Sequence, residues 1–193
     1  MIYLDNAATT LYKPRAVEQA VRRAMYGAAG YARGSYAAAG RAGELVYACR
    51  EQAAALFGVG EPERVIFTLN ATHALNIAVN ALVAPDSRVI VSGYEHNAVM
   101  RPLTARNIEP TVLDTPLWDG AAMVSALKQA LVQGADLMIL SHVSNVFGSI
   151  APLDEIAELL TAAGVPLILD ASQSAGVAEI DVKRYPCLAA VCM

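Results

Sequence analysis

The feature that most constrains the fold is an alternation of short apolar runs with longer segments whose apolar residues recur every three to four positions. The short runs predict strands and the longer segments predict helices. Strands are predicted at residues 65–68, 88–92, 111–113, 137–141, 166–170, 177–180 and 188–192, and helices at 71–83, 98–107, 120–133 and 152–163. Two earlier helices are expected, one opened by Pro14 and one from Ala37 to Phe57 that ends at Gly58. Strands separated by helices imply a mainly parallel sheet, so the predicted class is α/β, a three-layer α/β/α sandwich.

Composition narrows the functional classes. Apolar residues make up 55% and charged residues 17% of the 193 residues, so the chain is expected to fold. The formal net charge is -4 without a basic run, which argues against a nucleic-acid partner. No stretch reaches the roughly 18 unbroken apolar residues of a membrane span, and the N-terminus lacks a signal-peptide pattern. Three cysteines without a CxxC spacing argue against disulfides or bound metal, and a cytoplasmic protein is expected.

Ligands of open parallel sheets bind beyond the carboxyl ends of the strands, so the residues that follow each strand are the candidate site. After the strand predicted at 65–68, Asn70 is suited to cap a helix whose first amides point outward without partners. The amide of Ala71 and the hydroxyl of Thr72 could then bind a phosphate group. An ordinary capped helix is the alternative interpretation.

Two further strand ends carry side chains that can contact a ligand. His96 follows the strand at 88–92, where it can stack on a planar ligand or move a proton; a loop histidine that caps the next helix is the alternative. Asn145 follows the strand at 137–141 and offers both a donor and an acceptor; an Asx turn is equally compatible with the sequence.

Asp170 ends the apolar strand 166–170. A carboxylate at the end of a buried strand is costly unless a cation or hydrogen-bond donors compensate it. A protonated ring nitrogen is such a partner, while a helix-dipole contact and a metal ion are alternatives. Metal is disfavoured because no other carboxylate or histidine lies nearby in sequence.

Taken in order, these segments resemble the class V aminotransferase family, especially its cysteine desulfurase-like members. The resemblance runs from Ile2 to Met193. It rests on the segments Tyr3-Leu4-Asp5-Asn6-Ala7-Ala8-Thr9-Thr10, Thr68-Leu69-Asn70-Ala71-Thr72, Glu95-His96-Asn97, Ser141-His142-Val143-Ser144-Asn145 and Asp170-Ala171-Ser172-Gln173-Ser174. It implies the large domain of a fold-type I enzyme that uses pyridoxal phosphate.

The resemblance also implies a role for each candidate residue. Asp170 would pair with the pyridine nitrogen, and His96 would stack on the ring and act on protons, which makes these two the catalytic candidates. The cofactor-binding set is completed by residues that would contact the phosphate, the ring oxygen and the substrate region, namely Asn70, Ala71, Thr72, Asn145 and Gln173.

Two parts of the family pattern have no counterpart in this sequence. The lysine that holds the cofactor is expected shortly after Met193, and Lys183, which precedes the last strand, is expected to be a surface residue. The chain is therefore expected to comprise, over 1–193, the N-terminal segment and most of the cofactor-binding domain, incomplete at its C-terminus and without the small C-terminal domain. No cysteine matches the family's nucleophile, and Cys49 and Cys192 are expected to be buried.

The predicted function is that of an enzyme acting on an amino acid, with cysteine converted to alanine and enzyme-bound sulfur as the favoured reaction. A class V aminotransferase or another β-eliminating lyase is the first alternative, and a truncated, catalytically silent fragment is the second. The resemblance further implies a homodimer and a sulfur-acceptor protein as partners.

Overall fold

The computed structural model describes residues 2–192. The chain forms two compact units, Met1–Ile66 and Phe67–Met193. All seven candidate site residues belong to the second unit.

The first unit is built from two helices. Helix α1 covers Arg15–Gly27 after Pro14, and α2 covers Ala37–Phe57. Gly58 ends α2 with a φ of 68°, a left-handed conformation that costs glycine little because it has no Cβ. Both helices and the glycine that ends α2 are thus as the sequence predicts. A short 3-10 turn, Pro62–Arg64, follows.

The second unit contains a five-stranded parallel sheet. Its helices are α3 (Ala71–Leu82), α4 (Asn97–Ala105), α5 (Gly120–Val132) and α6 (Leu153–Ala163), and its strands are β1 (Val89–Ser92), β2 (Thr111–Leu113), β3 (Leu137–Ser141), β4 (Leu167–Asp170) and β5 (Cys187–Val191). The strand order is β2-β1-β3-β4-β5, and every neighbouring pair is parallel. The predicted α/β class with a parallel sheet is confirmed.

Alternation along the strands divides the side chains between two helical layers. Leu137 and Ile139 pack in one apolar cluster with residues of α3 and α4. Met138 and Leu140 are equally buried but lie outside that cluster, because successive strand residues point to opposite faces. Helices α5 and α6 also bury residues outside the cluster, so they cover the second face. The unit is therefore the predicted three-layer sandwich.

Two predicted strands do not form. Residues 65–68 are extended without pairing to another strand among residues 2–192, and Ile66 is 76% exposed. A β-branched apolar run reads as a strand, but it becomes one only when another strand supplies hydrogen bonds. Residues 177–180 follow Gly176 (φ 74°), and the amides of Val177 and Ala178 donate to the carbonyl of Ser174 in a turn.

The expected burial of two cysteines is wrong. Cys49 is exposed on α2, whose buried residues are Ala39, Ala42 and Ala54, and Cys192 is exposed beyond β5. An apolar residue type does not fix which side of an element faces a core. Among residues 2–192, no helix combines the length and hydrophobicity needed to cross a membrane.

Candidate active site

A cleft at the carboxyl ends of β3 and β4 brings the candidate residues together. Its cavity volume is about 180 Å³, and part of it is open to solvent. We call it the Asp170 cleft; it is lined by Asn70, Ala71, Thr72, Leu75, His96, Ala98, Ser141, Val143, Asn145, Asp170, Ser172 and Gln173. All seven residues singled out in the sequence are in this list. Their roles toward a ligand stay predictions.

Asp170 is buried at the end of β4, directly opposite Ser141 of β3. Its Oδ1 accepts hydrogen bonds from the amide of Ser172 at 3.0 Å and from the Ser172 hydroxyl at 2.5 Å. Its Oδ2 has no hydrogen-bond partner within residues 2–192. One oxygen is thus held in place, which leaves the other available to a donor in the cleft.

The N-terminus of α3 presents unpaired amides to the same cleft. Asn70 caps the helix, because its Oδ1 accepts the amide of His73 at 2.8 Å. The carbonyl of Asn70 accepts the first helical hydrogen bond, from Ala74 at 3.1 Å. The amides of Ala71 and Thr72 have no acceptor in the described part of the chain. The two interpretations of the sequence are therefore compatible, since capping uses a different amide from those left free to bind an anion.

His96 also combines two interpretations that the sequence left open. It is the N-cap of α4, and its Nδ1 accepts the amide of Ala98 at 3.0 Å. An accepting Nδ1 carries no proton, so the neutral ring holds its proton on Nε2. The ring remains exposed and lines the Asp170 cleft. His96 thus offers an N–H donor and a ring face to a ligand.

The turn after β3 is made by Ser144 and not by Asn145. The hydroxyl of Ser144 accepts the amides of Val146 at 3.4 Å and Phe147 at 3.3 Å, and its carbonyl accepts Gly148 at 2.8 Å. The side chain of Asn145 is therefore not used in an Asx turn, and it reaches the cleft. Gln173, which follows β4 and is half-buried, lines the same cleft.

Glu95 is a site feature that the sequence reasoning missed. Its Oε1 accepts the Ser92 hydroxyl at 2.6 Å and the Ser141 amide at 2.9 Å, and its Oε2 accepts the Ser141 hydroxyl at 2.7 Å. Burial raises the pKa of this carboxyl, and the charge of Asp170 raises it further, while the hydrogen bonds from the two serines oppose the shift. A glutamate directly before a candidate histidine was the available signal, but its partner Ser141 lies 46 residues away in sequence.

Residues on the other face of the sheet do not reach the cleft. His142, one residue after Ser141, is buried, and burial lowers its pKa because the charged imidazole is poorly solvated there.

Within residues 2–192, none of the three lysines or three cysteines lines the cleft. Lys183 lies exposed on a 3-10 turn, as predicted, and burial raises the pKa of Cys187 to about 11.

Comparison with known proteins decides the family. The model of the aminotransferase class-V family matches residues 2–191. The chain belongs to this family. The cysteine desulfurase IscS of Shewanella loihica is 34% identical over 192 residues, which are 95% of this chain and 47% of that protein. A probable cysteine desulfurase of Chlamydia muridarum is 34% identical over 195 residues, 95% of this chain and 48% of that protein.

A solved structure supports the same assignment. The apo cysteine desulfurase of Thermococcus onnurineus NA1 superposes with a TM-score of 0.85 at 27% identity, over 96% of this chain and 48% of that one. The chain spans about half the length of the relatives it matches. This member of the aminotransferase class-V family therefore aligns with about half of each of these cysteine desulfurases.

Members of this family use pyridoxal phosphate, and the cleft has groups suited to that cofactor. The free amides of Ala71 and Thr72 suit its phosphate, since a helix N-terminus favours an anion. The free Oδ2 of Asp170 suits the protonated ring nitrogen. The exposed ring of His96 suits a planar aromatic group.

Proposed function

We propose that this chain supplies the cofactor-binding half of a pyridoxal phosphate enzyme that acts on cysteine. The observation that carries the proposal is the convergence of an uncompensated carboxylate oxygen, a free helix N-terminus and a histidine ring in one cleft. The cysteine desulfurase names of its relatives point to cysteine as substrate, with alanine and enzyme-bound sulfur as products.

Each residue has a task that follows from its contacts. Bound pyridoxal phosphate supplies an electron sink for negative charge at the substrate Cα. Asp170 keeps a proton on the ring nitrogen, because its Oδ1 is fixed by Ser172 while its Oδ2 has no partner within residues 2–192 and the residue lines the cleft. Thr72 and the amide of Ala71 bind the phosphate, with Asn70 holding the helix end in place.

Three residues contact the ring and the substrate region. His96 stacks on the ring and offers the Nε2 proton. Asn145 and Gln173 donate hydrogen bonds to the ring oxygen and the substrate region. A lysine from outside the described residues completes the reaction in the whole protein. The proposal also includes a homodimer and a partner protein that accepts the sulfur.

Binding of pyridoxine 5′-phosphate tests the proposal. This alcohol analogue has no aldehyde, so it cannot react with the exposed lysines, and it reports the non-covalent site alone. We expect it to bind the chain in calorimetric titration, and expect Asp170→Asn to weaken binding by about tenfold or more, because a charge-assisted hydrogen bond contributes about 1.5–3 kcal/mol.

Asp119→Asn is the matched control. Like Asp170, Asp119 accepts a hydrogen bond from a backbone amide, that of Ala122 at 2.8 Å, but it lies outside the Asp170 cleft. Its affinity for the analogue should match that of the native chain. No binding by the native chain, or equal binding by Asp170→Asn, would contradict the proposed cofactor site.

A further inference from the structure

The connections of β1 and β3 diverge at the carboxyl edge of the sheet. The chain leaves β1 through α4 on one face to reach β2, and leaves β3 through α6 on the other face to reach β4. Since β1 and β3 are neighbours, a crevice opens where their two connections separate. Glu95 lies at this point, in the turn between β1 and α4.

The carboxyl of Glu95 spans the crevice. It accepts the Ser92 hydroxyl from the end of β1 and both the amide and the hydroxyl of Ser141 from the end of β3. Ser92 and Ser141 are 3% and 9% exposed, so these hydrogen bonds are largely shielded from water. Shielded hydrogen bonds to a carboxyl hold their partners in position, since breaking one leaves a buried polar group unpaired.

The two ends of this connection lie next to the two catalytic candidates, His96 and Asp170. His96 follows Glu95 directly, so any movement of the Glu95 backbone moves the imidazole that lines the cleft. Ser141 pairs in register with Asp170 across β3 and β4, and the amide of His142 donates to the Asp170 carbonyl at 2.9 Å. One carboxyl therefore connects the histidine segment to β3, the strand whose last residue pairs with Asp170 of β4.

We propose that Glu95 is a positioning residue, whose carboxyl ties the β1–α4 turn to the end of β3 and thereby fixes the ring of His96 beside Asp170. The use of the His96 ring in cofactor binding rests on the proposed function, whereas the positioning of that ring by Glu95 does not. Glu95 contacts neither ligand nor reacting atoms in this role; it acts through His96 and Ser141.

The tautomer of His96 is a direct readout of this role. The chain has three histidines, so their ring nitrogens can be resolved by ¹⁵N–¹H correlation spectroscopy and assigned with a His96→Gln variant. The native chain should show His96 protonated on Nε2 with an accepting Nδ1. In Glu95→Ala the β1–α4 turn is released, and we expect the ring nitrogens of His96 to shift toward an average of both tautomers.

Two variants separate positioning from loss of stability. Glu95→Gln keeps the length and the acceptor oxygen and can donate to the Ser141 hydroxyl, so it should preserve the native tautomer. Leu127→Ala removes a fully buried side chain of α5, outside the cluster that packs on α3 and α4. It should lower the unfolding temperature without changing the His96 signals. Should Glu95→Ala fail to fold, Glu95→Asp takes its place, because the shorter side chain cannot reach both serines.

Binding of pyridoxine 5′-phosphate supplies the second readout. We expect Glu95→Ala to bind about tenfold more weakly than Glu95→Gln, which should remain close to native. An unchanged His96 tautomer in Glu95→Ala and in Glu95→Asp would overturn the positioning role, as would an equal change in Leu127→Ala. If the native chain failed to bind the analogue, the proposed function would fall, while the spectra of His96 would still decide the role of Glu95.

Discussion

At the scale of single residues, two carboxyl groups lie near the same strand ends in different surroundings. Asp170 is engaged through one oxygen by its own loop, at Ser172, which leaves the other oxygen to the cleft. Glu95 is engaged through both oxygens by Ser92 and Ser141, so neither oxygen is without a hydrogen-bond partner. This difference supports the proposed role of Asp170 in ligand binding and the proposed role of Glu95 in positioning.

The raised pKa of Glu95 predicts a pH dependence of stability. In the folded protein this pKa lies above its ordinary value of 4.5. The protonated carboxyl therefore makes its full contribution to the free energy of unfolding below pH 4.5, and that contribution is lost as the pH rises through the folded pKa. Glu95→Gln does not titrate. Its free energy of unfolding relative to native should therefore increase with pH.

Urea denaturation in steps from about pH 4.5 to about pH 8 measures this difference. The exposed Glu109→Gln variant is the control, since it removes a carboxyl on the surface of the same unit. A difference between Glu95→Gln and native that does not change with pH would be inconsistent with burial of the Glu95 carboxyl.

At the scale of elements, the site depends on where helices begin. Helix α3 begins at the cleft with Asn70 as its cap, and α5 begins elsewhere with Asp119 as its cap. Both side chains accept one amide at 2.8 Å, so the two caps are equivalent locally. Of these two helices, only α3 has its first residues in the lining of the Asp170 cleft.

Removing each cap should separate stability from binding. We expect Asn70→Ala and Asp119→Ala each to lower the free energy of unfolding by about 1 kcal/mol, the usual contribution of an N-cap. Only Asn70→Ala should also weaken binding of pyridoxine 5′-phosphate, because the amides of Ala71 and Thr72 then lose their fixed orientation. Chemical denaturation and calorimetric titration measure the two effects, and equal losses of affinity in both variants would rule out a phosphate site at α3.

At the scale of the whole molecule, apolar side chains are exposed in both units. In the first unit Leu4 and Tyr26 are 91% and 85% exposed, and in the second Leu69 and Val177 are 88% and 87% exposed. Strands β2 and β5 are the edges of the sheet, and each has backbone groups on one side without a partner strand in residues 2–192. Exposed apolar surface and open strand edges favour association.

We therefore expect the chain to self-associate. Light scattering after size-exclusion chromatography, at micromolar concentration, should give a mass above that of one chain. Raising the salt concentration should not dissociate the assembly, because its contacts are apolar rather than ionic. A sharp monomer peak that persists as the protein concentration rises would show the expectation to be wrong.

The local sequence determined most elements of this protein. Short apolar runs predicted seven strands, and five of them form. Glycine and proline marked the ends of helices. These signals depend on residues that are close in the chain. The site residues could be identified for the same reason. His96, Asn145, Asp170 and Gln173 lie at or soon after the ends of strands, and parallel strands bring their carboxyl ends to one edge. Asn70, Ala71 and Thr72 lie at the start of a helix that the sequence also marks.

Tertiary structure decided the features that depend on distant partners. Residues 65–68 have the composition of a strand, but no strand lies beside them in residues 2–192. Their backbone groups therefore form no sheet hydrogen bonds. The burial of cysteines depends on which face of α2 or which end of β5 is covered. The role of Glu95 depends on Ser141, which only the pairing of β1 with β3 brings within hydrogen-bond distance. The preference for helix, strand or turn depends on neighbouring residues in the sequence, whereas burial and cross-strand hydrogen bonds exist only after the chain has folded.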